Sequence, residues 1–446
     1  MNLLKDNEII VCDQRTIESI KHHVKLITVF LKHSSILTEA YILDFFVENL
    51  WSKLPLSWQD TLKDFEPCDL VALLSHEEKN SRYGKPLPLS LLAFRACAFG
   101  FSLPRKSMQS LKPIENFLKK NCSLKAEASD ASSLGDVSWD TLKDEFEEKS
   151  LQHKSIPEFC RKHVKPKKQH EIFRMAQLTA MVMKMFDMKH VIDVGSGQGH
   201  LSRLLALCYD LNVATVEANQ CYVSGAVNFD QQAFDRVEKL RTNSKMSREL
   251  NNDDIKKLPH HLEGSITPDS SKLYLKKIFE KAWNDSSQGY SEENFALLGL
   301  HTCGGLATTI MKLFVASEKA KVLLSIGCCY MKNHYDKIEE NYPLSLYVKS
   351  LSHPLSYEAK EMACHAFEMF IKRLEDEAAS LKIHCYRATL EKCILQFYPN
   401  SKHMGLRGVK NAEYLEFSEY AEKALSKVSY FIPKEHFFPT RSAGLF

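Results

Sequence analysis

The segment VIDVGSGQGHLSRLLA, from Val191 to Ala206, constrains this chain most. A short apolar strand pattern runs into Gly195, Gly197 and Gly199 and then at once into helical apolar spacing. Glycines remove Cβ atoms where a backbone must bend sharply and approach a ligand. A helix that starts directly afterwards points its first free N–H groups at the same place. A dinucleotide fingerprint needs its third glycine one residue later, where His200 stands. The segment therefore predicts a nucleotide-type cofactor turn that is not the dinucleotide one.

The surroundings extend this reading. NVATVEAN, from Asn212, is a second alternating strand ending at Glu217, where a carboxylate accepts the ribose hydroxyls of a nucleoside cofactor. Asp193 lies within the apolar first strand, where an unpaired carboxylate is costly, so it is expected to accept hydrogen bonds from the N–H groups of the turn. FALLGLHTCGGLATTIM, from Phe295, and KVLLSIGCCYMKN, from Lys321, read as the buried fourth and fifth strands of a doubly wound sheet, each breaking into a loop. Ligands sit outside the carboxyl ends of such strands, which makes His301, Thr302, Cys303, Cys328, Cys329 and Tyr330 the candidates for a pocket.

These residues carry a family resemblance. The spacing Asp-x-Gly-x-Gly-x-Gly from Asp193 to Gly199 is similar to motif I of S-adenosylmethionine (SAM)-dependent methyltransferases. With KPKKQHE (Lys165 to Glu171), GLHTCGGLA (Gly299 to Ala307), SIGCCYMK (Ser325 to Lys332) and NYPLS (Asn341 to Ser345), it resembles the methyltransferase-like protein 25 family from about Lys165 onward, and more faintly over the N-terminal third. The resemblance implies an α/β, Rossmann-like methyltransferase sheet with an N-terminal helical domain. SAM would be held by Asp193, Gly195, Ser196, Gly197, Gln198, Gly199 and Glu217. Lys168, His170, Thr302, Cys303, Cys328 and Tyr330 would lie near substrate or cofactor. The family usually has Asp where this chain has Gly305, which keeps a SAM-binding but catalytically silent scaffold as the alternative function. A more distant resemblance runs to eukaryotic tRNA 2′-O-methyltransferases, but Tyr330 and Met331 stand where those enzymes have paired histidines.

Methyl transfer from a sulfonium is an in-line displacement, so the protein mainly holds donor and acceptor at near-attack distance and aims polar groups at them. His301, just past the fourth strand, is the candidate general base or cofactor contact. Cys303, Cys328 and Cys329 invite a zinc site with His301 or His334. Their spacing lacks paired two-residue knuckles and adjacent cysteines chelate one ion awkwardly, so packing beneath the ligand and no metal are expected. Lys167, Lys168, His170 and Glu171 precede the helix leading into the first strand and are placed to fold over the cofactor or an anionic substrate. With Arg161, Lys162, Lys165 and Arg174 they form the most basic local patch, the first place to look for RNA.

The chain as a whole sets broad bounds. Its 446 residues allow two or three domains, and a formal net charge of +3 excludes a global polycation for nucleic acid or acidic membranes. The 13 scattered cysteines and the absence of a secretory opening imply reduced thiols, hence a cytoplasmic or nuclear location. Apolar runs fall short of the roughly 20 residues that cross a bilayer, so no membrane partner is expected. The sequence does not name the methyl acceptor, and RNA or protein is the expected class. The expected domains are a helical one over 1–122, a linker or loop over 123–155, the methyltransferase domain over 156–400 with an insertion at about 231–257, and a C-terminal extension over 401–446. AKEMACHAFEMFIKRLEDEAASL reads as one amphipathic helix, and KIHCYRATLEKCILQFYPN as strands closing the far edge of the sheet.

Overall fold

The computed structural model describes residues 14–75, 86–103, 110–122, 145–147, 150–243, 258–283, 293–333, 342–376, 381–406, 408–426 and 432–433. The chain divides into two compact units, one of Ser19–Leu103 with Leu351–Phe446, the other of Leu3–Glu18 with Pro104–Ser350.

The second unit is built on strands β1 (His190–Val194), β2 (Asn212–Glu217), β3 (His260–Glu263), β4 (Phe295–Leu300) and β5 (Ala320–Ile326), all parallel, in the order β3-β2-β1-β4-β5. Among the helices that accompany them are α1 (Pro166–Met185), α2 (His200–Tyr209), α3 (Gln220–Asn243), α4 (Lys272–Trp283) and α5 (Gly305–Ala316). β1 and β4 are buried along their whole length, as parallel strands covered on both faces must be. Alternation sorts their side chains. Val191, Val213, Ala296 and Leu298 join Ile172 and Met175 of α1 and Leu204 and Leu205 of α2 in one core. Ile192, Ala214, Val216 and Leu297 join Leu275 and Ile278 of α4 and Ile310 of α5 in the other. α1 starts on Pro166, whose missing N–H is no loss in a first turn, and buries Ile172, Met175, Ala176, Thr179 and Met183 on one stripe.

From β1 the chain winds first to β2 and β3 on one side, then to β4 and β5 on the other. The order therefore reverses between β1 and β4, and the crevice outside their carboxyl ends is where a doubly wound sheet receives a ligand.

Several expectations are corrected outside the sheet. KIHCYRATLEKCILQFYPN forms a helix over Lys382–Phe397. Its β-branched and aromatic residues suit a strand, but Leu390 and Ile394 fall one turn apart and pack with Tyr420, Ala421 and Ala424, so tertiary burial overrides propensity. The single amphipathic helix expected before it is broken into Tyr357–Met362 and Phe367–Glu375. The polar insertion begins inside α3, which runs to Asn243; residues 244–257 lie outside the described ones, as do 123–144 of the linker. Within the described part of that linker, the carboxylate of Glu145 is nearly buried and pairs with His170 and Arg174 of α1. In the first unit Trp58 is buried, donates to Ser90 Oγ at 2.9 Å and lies against Phe94. Among the described residues no helix is long and apolar enough to cross a membrane.

Candidate active site at the strand ends

Gly195, Gly197 and Gly199 follow β1 with φ angles of 66°, 57° and 67°. These lie in the left-handed region that only glycine enters without steric penalty. A Cβ at Gly199 would come within 2.8 Å of the His261 ring, whereas one at Gly197 would meet nothing within 4 Å. Gly199 is thus held against the protein, and Gly197 faces open space. The Gly197 N–H donates to Glu217 Oε2 at 2.9 Å, and the Asn219 N–H to Oε1 at 2.9 Å. Each carboxylate oxygen keeps a second lone pair after accepting one backbone bond. The turn after β1 and the carboxylate at the end of β2 therefore form one scaffold with acceptor capacity to spare. Beside them the Ser196 hydroxyl is buried and has no hydrogen-bond partner among the described residues.

Asp193 is buried, but it does not cap the turn. The N–H groups of Gly195 and Gly199 go to the carbonyls of Val216 and Ser196, and that of Gly197 to Glu217. Asp193 instead accepts the Ser202 hydroxyl of α2 at 2.6 Å. Burial pushes its carboxyl up to about 6, against the lowering effects of the Ser202 bond, Lys168 and His261.

Sequence reasoning missed the buried network behind the turn. Arg203, 2% exposed, donates Nε to Asp230 Oδ1 at 2.5 Å and Nη2 to the carbonyls of Gln198 and Ala226 at 3.2 Å. His261 Nε2 stands 2.8 Å from the other Asp230 oxygen, and its Nδ1 2.8 Å from Thr215 Oγ1. These bonds tie the turn to α3 and β3. Arg203 lies in the motif, but nothing in the spacing pairs it with Asp230.

The other wall comes from the loops after β4 and β5. Their register carries Leu300 beside Ile326, and the His301 N–H donates to the Ile326 carbonyl at 2.8 Å, so the two loops leave side by side. His301 adopts a φ of 70°. Its Nε2 lies 2.8 Å from Glu171 Oε2 on α1, and its Nδ1 3.3 Å from Cys328 Sγ. Lys168 reaches the same Glu171 at 3.9 Å. Burial pulls the Lys168 ammonium below the usual lysine value, opposed by Glu171, Asp193 and Cys328. His170 turns elsewhere, to Glu145 at 2.5 Å, because residues two apart on a helix do not share a face. Thr302 is buried, with its hydroxyl on Gly299 O and Ser325 Oγ, and Tyr330 is exposed on the short turn after β5. The structure thus brings Lys168, Glu171, His301, Cys303, Cys328 and Cys329 together beyond the strand ends. A separate cavity lined by Lys276, Phe279, Phe295 and Ser317 lies at the amino ends of β4 and β5, away from these groups.

The three cysteines are not the buried packing residues expected from their spacing. Cys328 is exposed and the other two are half-buried. The sulfurs of Cys303 and Cys328 stand 3.5 Å apart, and those of Cys328 and Cys329 3.6 Å apart. Although Cys328 is exposed as a residue, local desolvation of its sulfur raises the thiol to about 12, helped by the neighbouring thiols. Burial also acts upward on Cys303, but the N–H groups of Cys328 and Cys329, which donate to its sulfur at 3.2 and 3.3 Å, bring it below the ordinary thiol value.

Residues 167–334 match the family model described as a methyltransferase domain. A human protein named "Probable methyltransferase-like protein 25" is 20% identical over 519 aligned positions, covering 90% of this chain and 82% of that protein. A mouse protein of the same name is 23% identical over 375 positions, covering 59% of this chain and 62% of its own length. No solved structure matches. Residues 167–334 match a methyltransferase domain, in a chain that resembles methyltransferase-like protein 25 along most of its length.

Proposed function

We propose that the methyl donor is SAM and that it is held by Asp193, Gly195, Ser196, Gly197, Gln198, Gly199 and Glu217. The observation that carries this reading is the bond from the Gly197 N–H to Glu217, which sets an acceptor carboxylate beside a glycine opening onto free space. SAM supplies an electrophilic methyl group on a sulfonium. Glu217 offers its remaining lone pairs to a ribose, the N–H groups at the start of α2 and the unpartnered Ser196 hydroxyl offer donors, and Asp193 braces the turn through Ser202.

His301 is the candidate catalytic residue. Glu171 fixes the ring, so that the imidazole meets an acceptor in one orientation and lowers the entropy lost in reaching near-attack geometry. Lys168 lies beside this pair, and Thr302, Cys303, Cys328 and Tyr330 line the same end. The acceptor is RNA or protein in the cytoplasm or nucleus. The exposed Lys162, Lys165 and Lys167 near the start of α1 offer cations for a phosphate backbone. The second reading, a silent SAM-binding scaffold, rests on Gly305, which leaves the first position of α5 without a side chain.

Incubating the protein with methyl-labelled SAM and separate RNA, protein and small-molecule fractions tests the reading. Label transferred to one fraction supports an enzyme and names its acceptor class. SAM binding without transfer to any fraction favours the scaffold.

A further inference from the structure

We propose that Cys303, Cys328 and Cys329 bind a single zinc ion at the mouth of the site, with His301 beside its fourth coordination position. The sulfurs of the three residues all lie within 4.8 Å of one another. Zinc bonds thiolates at about 2.3 Å, so the sulfurs of a tetrahedral site stand about 3.8 Å apart. The 3.5 and 3.6 Å separations match that edge. A disulfide needs about 2.05 Å, so the sulfurs are not bonded to one another.

Sequence spacing conceals this donor set because it is made by topology. β4 and β5 are neighbours in the sheet, so Cys303 and the Cys328–Cys329 pair meet although 25 residues separate them. The N–H groups of Cys328 and Cys329 both donate to Cys303 Sγ, contacts that leave the sulfur able to hold an ion as well. The surrounding polar groups fit as well. A histidine that faces a metal commonly gives its other ring nitrogen to a carboxylate, which fixes ring and tautomer. His301 presents Nδ1 to Cys328 and keeps Nε2 on Glu171. Soft sulfur donors on a four-coordinate centre select zinc over the hard cations magnesium and calcium. The inference stands on these side chains and is independent of the reading of the cofactor turn.

The test is metal stoichiometry. The full chain is reduced, loaded with zinc sulfate, passed through a desalting column and analysed by mass spectrometry for metals. The expected result is about one zinc per chain. Cys303→Ser, Cys328→Ser and Cys329→Ser should each retain less than a tenth of that while keeping the parental circular dichroism spectrum. Cys97→Ser, on an exposed position of the helical unit, should retain it all. A measurement on the unmutated chain guards against misfolded variants: zinc should protect Cys303, Cys328 and Cys329 from alkylation at least tenfold, as read by peptide mass spectrometry. No retained zinc in the parent, parental zinc in all three variants, unprotected thiols, or a Cys303–Cys328 disulfide in place of metal uptake would each overturn the proposal. SAM binding by calorimetry is a separate readout, so failure of the metal site and failure of the cofactor reading are told apart.

Discussion

Glu171 Oε2 and His301 Nε2 lie 2.8 Å apart although 130 residues separate them in the chain. The pair joins α1 to the loop after β4, and it converts a loop histidine into one with a fixed orientation. His301→Ala should lower kcat about 100-fold, within the range of a positioned proton-transfer group, and Glu171→Gln about tenfold. SAM affinity should change less than twofold in both. Steady-state kinetics on the labelled acceptor fraction, with calorimetry for SAM, checks this. Unchanged kcat in His301→Ala removes the residue from the site.

The buried Arg203–Asp230 pair makes a stability prediction. Both side chains are almost inaccessible, and Asp230 also receives His261. Asp230→Ala leaves a guanidinium unpaired in the interior, which costs about 3–5 kcal/mol. Asp230→Asn, which keeps one acceptor oxygen, should cost less. Denaturant unfolding monitored by circular dichroism gives the values. A loss in Asp230→Ala near that of an ordinary surface change would mean the network does not hold the turn.

Asp193 predicts a pH effect whose sign is fixed. Burial raises its carboxyl from 3.8 to about 6 in the folded chain, with Lys168, His261 and Glu217 facing it. Between those values the folded state binds more protons than the unfolded one, so this group's contribution falls as pH rises through the window. The full effect is about 3 kcal/mol at 1.36 kcal/mol per pH unit. Asp193→Asn should therefore gain on the parent progressively between pH 4 and pH 7. A stability difference that stays constant over that interval contradicts the assignment.

Much of this site is legible in the sequence, and for a physical reason. Motif I is local: strand, glycines and helix are consecutive, so the positive φ angles of Gly195, Gly197 and Gly199 follow from residue identity. The Glu217 position follows from the regular length of a strand–helix–strand unit. What spacing does not show is pairing set by sheet order. The Arg203–Asp230–His261 network and the three-thiol cluster depend on β2 neighbouring β3 and β4 neighbouring β5. Residues 382–397 mislead for another reason, since a helix packed on one stripe tolerates the β-branched and aromatic residues that suggest strands.

Gly305 opens α5, and its φ is not among the positive ones. Asp at a first helical position is also favoured by the helix dipole. Gly305→Asp should thus fold normally, leave SAM affinity within twofold and, if a carboxylate orients the acceptor, raise methyl transfer severalfold. Transfer rates of parent and variant decide this. An unchanged rate, with His301→Ala inactive, makes the carboxylate dispensable.

The central claim is that SAM sits on the turn from Asp193 to Gly199 with Glu217. Calorimetric titration of SAM into the parent, Gly197→Leu and Glu217→Ala tests it most directly. The parent should bind saturably. Gly197→Leu, whose side chain enters the open space before the turn, and Glu217→Ala, which lacks the ribose acceptors, should each bind at least tenfold more weakly, a change of about 1.4 kcal/mol or more. If the parent does not bind SAM, or if both variants bind as tightly as the parent while remaining folded, the claim is contradicted.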